Sequence, residues 1–134
     1  MAEQKSILIV DDEVFSGKIL QTSLREMGFL TDYVVATGEE AIELTEKVEF
    51  DLILMDLQLP GCSGFETAQR IRSESVSRRN ASVPIIALSA YVNPETIERV
   101  HLAGMDGYIA KPYEPAELLE VIRRVLGPGR VAWV

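Results

Sequence analysis

With 134 residues, a formal charge of −8 and 47% hydrophobic residues, the chain has the size of one ordinary domain and the balance of a globular one. That acidity argues against general nucleic-acid affinity, because phosphate backbones recruit Lys and Arg. No apolar run approaches the roughly 18–20 residues of a bilayer span, the N-terminus lacks the pattern of a secretory signal, and Cys62 is the only cysteine, excluding an intrachain disulfide or a cysteine-based metal cluster; the cytoplasm is the expected compartment.

Ile7-Leu8-Ile9-Val10 is a short β-branched run ending in Asp11-Asp12, which reads as a buried parallel strand. Phe15, Ile19, Leu20, Leu24 and Met27 then follow helical spacing as far as Gly28. Residues Leu30 to Val35 predict a second strand, and Thr37 with Glu40 predicts a capping box opening a helix through Ala41, Leu44 and Val48. Leu52-Ile53-Leu54-Met55 is the third strand and runs into Asp56. Ser63 with Glu66 opens the next helix, carrying Phe65, Ala68 and Ile71. Ser73 to Val83 reads as a frayed helix end and surface loop, and Arg70, Arg72, Arg78 and Arg79 as a solvated face. Ile85-Ile86-Ala87-Leu88 ends in Ser89. Asn93-Pro94 starts a helix with Ile97 and Val100 that stops near Gly104. Gly107-Tyr108-Ile109-Ala110 leads to Lys111-Pro112, and Pro115 opens the last helix, with Leu118, Leu119, Ile122 and Val125 inward.

Five strands alternating with five helices imply a doubly wound α/β domain with a parallel sheet and right-handed crossovers, over residues 1–127. Gly127-Pro128-Gly129 breaks the final helix and residues 128–134 form a short tail, whose Trp133 marks an interface, a piece of a longer protein, or loosely packed ends. Ligands of open parallel sheets bind outside the carboxyl ends of the strands. Asp11, Asp12 and Asp56 share one crevice only if the first and third strands are neighbours, which the order 2-1-3-4-5 supplies.

Three carboxylates side by side disfavour one another's ionisation unless a cation offsets them. All-oxygen ligands suit magnesium. A lone Asp after a strand can simply cap the next helix, but three converging with Ser89 and Lys111 describe a phosphoryl site. Asp56 can act as nucleophile and form an aspartyl phosphate, Lys111 offers a mobile point charge and Ser89 a hydroxyl donor. Pro112 reads either as a helix stop or as half of a cis Lys111-Pro112 bond, and Tyr108 either as a core aromatic or as a ring that moves between buried and exposed positions. Cys62 reads as an ordinary loop thiol and His101 as a surface residue. Asn80-Ala81-Ser82 matches the glycosylation sequon, a weak signal that means nothing without secretion.

From residue 5 to about 127 the chain resembles the receiver domains of two-component response regulators. The words that carry the resemblance are Ile7-Leu8-Ile9-Val10-Asp11-Asp12-Glu13, Leu54-Met55-Asp56-Leu57-Gln58-Leu59-Pro60-Gly61, Pro84-Ile85-Ile86-Ala87-Leu88-Ser89-Ala90 and Ala110-Lys111-Pro112-Tyr113. The resemblance implies a flavodoxin-like (βα)5 fold. It makes Asp56 the acceptor of a phosphoryl group from a histidine kinase or phosphotransfer protein. Asp11, Asp12, Asp56 and the Gln58 carbonyl would hold Mg2+, and Ser89, Ala90 and Lys111 would contact the phosphoryl group. Ser89 and Tyr108 would form the switch, with a cis Lys111-Pro112 bond. Output would pass to a downstream protein or a second copy through the face of the fourth helix, fifth strand and fifth helix, including Tyr108, Ile97 and Val100. Such a chain catalyses only its own phosphorylation and slow dephosphorylation, the latter shielded here by Tyr91. The long connection before Val83 is similar to receivers of hybrid histidine kinases, so a stand-alone regulator and a fragment both stay open. Two other readings compete. One is a receiver-fold interaction domain that works without phosphorylation. The other is a magnesium-dependent phosphatase, which needs a second Asp where this chain has Gln58; a P-loop is weaker still, because Gly17-Lys18 lacks its earlier glycine.

Overall fold

The computed structural model describes residues 4–74 and 78–127, the side chains of 74, 78 and 79 excepted. In chain order the elements are β1 (Ser6–Val10), α1 (Val14–Glu26), β2 (Leu30–Val35), α2 (Gly38–Thr45), β3 (Leu52–Asp56), α3 (Gly64–Glu74), α4 (Arg78–Ala81), β4 (Ile85–Ser89), α5 (Pro94–Leu102), β5 (Gly107–Ala110) and α6 (Pro115–Leu126). All strand pairs are parallel, and the sheet order is β2-β1-β3-β4-β5. The chain therefore has the predicted five-stranded, doubly wound order. The fourth and fifth helices of the sequence reading are α5 and α6, because α4 is a single extra turn.

Side chains alternate across a strand, and here both faces of the three central strands are buried. Leu8, Val10, Ile53, Met55, Ile85 and Ala87 face a core with Ala41, Ala68, Ile71 and Val100, supplied by α2, α3 and α5. Ile7, Ile9, Leu52, Leu54, Ile86 and Leu88 face the opposite core with Leu20, Leu24, Leu118 and Ile122, supplied by α1 and α6. This two-sided burial explains why the strands read as continuous apolar runs. It also leaves their polar C-terminal residues as the first atoms to emerge from the core.

The helix signals act as local chemistry requires. Glu40 N–H donates to Thr37 Oγ1 at 3.1 Å, Glu66 N–H to Ser63 Oγ at 3.2 Å, and Thr96 N–H to Asn93 Oδ1 at 2.8 Å. Four side-chain placements depart from the sequence reading. Phe15 and Ile19 on α1 are 78% and 56% exposed, because the helix turns Gly17, Leu20 and Leu24 to the sheet instead. Val100 is wholly buried in the α5 core and cannot belong to a docking face. Leu119 is only half-buried on α6.

The connection before β4 is also more than a surface loop. Asn80 is wholly buried: Nδ2 donates to Thr45 O at 2.6 Å and Val48 O at 2.7 Å, while Oδ1 accepts the Phe50 N–H at 3.1 Å. That amide closes the end of α2 onto β3, so the sequon lies on a buried nitrogen. Arg72 is a clamp rather than part of a solvated face. Its guanidinium donates to Gly104 O at 2.8 Å, Ala81 O at 3.2 Å and Asp106 Oδ2 at 3.0 Å. Arg78 and Arg79, as side chains, and the tail with Trp133 lie outside the described residues.

Candidate functional site

The C-terminal ends of β1, β3, β4 and β5 open into one crevice of about 380 Å³, lined by Asp12, Glu13, Asp56, Gln58, Ala90 and Lys111. Asp11 follows β1 directly. Its N–H donates to Val35 O of β2 at 3.0 Å, which continues the sheet pairing by one residue and holds the side chain at the sheet end. Asp11 Oδ1 accepts the Glu13 N–H at 2.9 Å. Asp12 is exposed beside it, whereas Asp11 and Asp56 are 3% and 7% exposed. Each of these three residues has a carboxylate oxygen within 4.8 Å of those of the other two. A cluster of hard oxygen donors at this spacing fits a small divalent cation.

Burial, first, and then the charges of Asp56 and Asp12 push the Asp11 carboxyl above its ordinary value, against the Glu13 amide and Lys111. The same charge reaches Tyr113, whose phenol is pushed up by burial and then by Asp11. Tyr113 packs against the α1/α6 core, and sequence reasoning gave it no role. Its only sequence signal is its place directly after Lys111-Pro112.

Asp56, the last residue of β3, is held on both oxygens. Oδ1 accepts the Gln58 N–H at 2.9 Å and Oδ2 accepts Lys111 Nζ at 3.1 Å. Lys111 is positioned by its own backbone, whose N–H donates to Ser89 O at 2.8 Å; its bond to Pro112 is cis. The loop after Asp56 turns at Gly61, which has φ of +71°, a region closed to most side chains.

Ser89 ends β4 and is buried, and its hydroxyl is engaged with Tyr91. Oγ donates to Tyr91 O at 3.0 Å and accepts the Tyr91 N–H at 3.0 Å, closing a tight turn. Tyr91 is 64% exposed and does not line the crevice. Tyr108 lies mid-strand opposite Ala87, half-buried against the α2/α3/α5 core. The structure thus unites the acids with Lys111, Gln58 and Ala90. It leaves the Ser89 hydroxyl and Tyr108 just outside the crevice.

His101 is exposed on α5, as expected. Cys62 lies in the loop before α3, as expected, and its side chain is buried. It donates to Glu66 Oε2 at 3.3 Å and accepts from Thr67 Oγ1 at 3.4 Å, and burial pushes its thiol up.

The family model for the response regulator receiver domain matches residues 7–123, and the chain belongs to that family. It is 32% identical over 123 residues to the polar-differentiation response regulator DivK of Brucella ovis, covering 92% of this chain and 97% of DivK. It is 34% identical over 142 residues to a probable histidine kinase 4 of Oryza sativa subsp. japonica and 33% identical over 121 residues to the sensor protein GacS of Pseudomonas syringae pv. syringae. It spans only 14% and 13% of those two proteins' lengths. Among solved structures, chemotaxis protein CheY4 of Vibrio cholerae superposes with a TM-score of 0.84 at 28% identity, covering 92% of this chain and 99% of that one. The receiver domain of the sensor histidine kinase PA1611 from Pseudomonas aeruginosa PAO1 gives 0.83 at 34% identity, covering 93% and 99%, and carries a magnesium ion coordinated in its active site cleft.

Proposed function

We propose that this receiver domain is a phosphorylation-operated signalling switch of a cytoplasmic two-component phosphorelay, with Asp56 as phosphoryl acceptor. The single observation carrying this reading is the placement of Asp56, wedged between the Lys111 ammonium and the acids at 11 and 12. The donor would be the phosphoimidazole of a histidine kinase or phosphotransfer protein. An Asp56 carboxylate oxygen attacks phosphorus, the P–O bond forms as the P–N bond breaks, and the imidazole leaves with the electron pair and takes up a proton. Asp11, Asp12, Asp56 and the Gln58 carbonyl would hold magnesium. Screening of the repulsion between carboxylate and phosphoryl oxygens is the chemistry that such an ion supplies when bound.

The chain's own groups do the rest. Lys111 already sits on one Asp56 oxygen and needs only a small swing to meet a phosphoryl oxygen. Exposed Ala90 offers its backbone at the crevice wall with only a methyl group beside the donor's approach. For Ser89 to reach the phosphoryl group, its two bonds to Tyr91 must break, which loosens the β4–α5 turn and biases the equilibrium at the α5–β5–α6 face. That face, with half-buried Tyr108 and Ile97 and with Leu102 at 72% exposure, would meet the downstream protein or a second copy. The domain would turn over nothing beyond its own phosphorylation and slow hydrolysis.

The test is incubation with magnesium and acetyl phosphate, followed by intact mass and hydroxylamine treatment. A single hydroxylamine-labile phosphoryl adduct is expected on the native chain and none on Asp56→Ala. An adduct that survives D56A overturns the assignment.

A further inference from the structure

α3 begins with Gly64, and this residue touches the acceptor segment itself. A Cβ built on Gly64 would stand 2.4 Å from Asp56 O, 2.7 Å from Leu57 Cα and 3.2 Å from Asp56 C. All three neighbours are main-chain atoms, so no rotamer change makes room. The contrast is Gly17, where an added Cβ would meet Val34 Cγ1 at 2.9 Å, a side chain that can turn away. At position 64 the requirement is space, since φ lies outside the left-handed region.

The peptide that Gly64 touches is pinned on several sides. Leu57 N–H donates to Leu88 O at 3.1 Å, Gly64 N–H to Leu57 O at 3.2 Å, and Gln58 N–H to Asp56 Oδ1 at 2.9 Å. Any push on Leu57 is therefore passed to the Asp56 carboxylate through the Gln58 amide, and to the Gln58 carbonyl that follows. We infer that Gly64 is a positioning residue for the acceptor: its bare Cα lets α3 seat directly on the Asp56–Leu57 peptide and so fixes the Asp56 carboxylate and the Gln58 main chain at the crevice. This rests on Asp56 being the acceptor.

Gly64→Ala tests it, with Ile71→Ala as the control. Ile71 is wholly buried about two turns further along the same helix, so its truncation lowers stability without adding an atom against the Asp56–Leu57 peptide. In G64A the acetyl phosphate labelling rate at saturating magnesium is expected to fall about tenfold to a hundredfold, as misplacement near 1 Å does elsewhere. Magnesium affinity by calorimetry falls with it, and the Leu57 and Gln58 amide resonances of the metal-free protein shift. I71A lowers Tm and leaves all three readouts at native values. Labelling and amide shifts in G64A that match the native protein overturn the inference, as does an equal rate loss in I71A. If G64A does not fold, the readouts are taken in trimethylamine N-oxide, which favours the compact state. Native-like labelling there, or a fold that does not return, assigns Gly64 to stability alone and overturns the proposal. Absence of labelling in the native chain instead strikes the acceptor reading, while the amide shifts still report on position.

Discussion

Asp11 carries the electrostatic cost of the crevice. Its carboxyl is raised because the fold buries it and sets two more acids beside it, so the ionised form is less favourable folded than unfolded. The sign follows from linkage. The protonated group favours the folded state most fully below the unfolded value of 3.8, and this advantage is lost as pH rises through the folded value. At neutral pH, Asp11→Asn therefore raises the Tm of the metal-free protein, since an Asn carbonyl can still accept the Glu13 N–H. The gain disappears in acid, and added magnesium raises the native Tm more than that of D11N. Calorimetry with and without chelator checks both statements. Tyr91 supports a second prediction. Its ring lies outside the crevice here, so shielding of an acyl phosphate needs the ring to close over the site once the Ser89 turn is released. On that reading Tyr91→Ala speeds loss of the acyl phosphate severalfold, and an unchanged phosphate half-life counts against shielding. The acids and Lys111 were legible because each follows an apolar run, and strand ends of a parallel sheet converge. The Ser89 hydroxyl's engagement with Tyr91 was not legible, since strand periodicity says where a residue sits but not which neighbour its hydroxyl chooses.

At the level of elements, patterning gave the type and order of every strand and long helix: burial on both sheet faces writes apolar runs into β1, β3 and β4, and helical spacing with capping residues marks the helices. It failed where polar groups carry the packing. α1 has apolar residues around much of its circumference, so spacing alone could not tell that Gly17 marks the inward face and Phe15 the outward one. Asn80 and Arg72 look like loop polarity in the sequence, yet each answers main-chain carbonyls from distant segments. Asn80→Ala leaves the Thr45 and Val48 carbonyls and the Phe50 amide without that partner. At about 1–3 kcal/mol per orphaned group, and with incomplete additivity, the expected loss is about 3 kcal/mol or more. Urea unfolding measures it. Because Asn80 closes the opposite end of β3 from Asp56, folded N80A should still be labelled by acetyl phosphate at the native rate.

At the level of the whole molecule, the site and both cores depend on the same strands. Leu54 and Met55 are consecutive in β3 and wholly buried, yet they enter opposite cores, and Asp56 is the next residue. Neither core can therefore dissolve without taking the other's strands and the acid cluster with it. This predicts one cooperative transition rather than two. Leu54→Ala and Met55→Ala should each cost about 2–5 kcal/mol, shifting the urea midpoint without splitting the curve or changing its slope. Magnesium at a hundredfold over its Kd should add about 2.7 kcal/mol to that same transition by mass action. A biphasic curve in either variant, or a magnesium effect confined to one phase, would mean that the two cores melt apart. A signal at Asp56 would then have no rigid route through β3 and β4 to the α5–β5–α6 face.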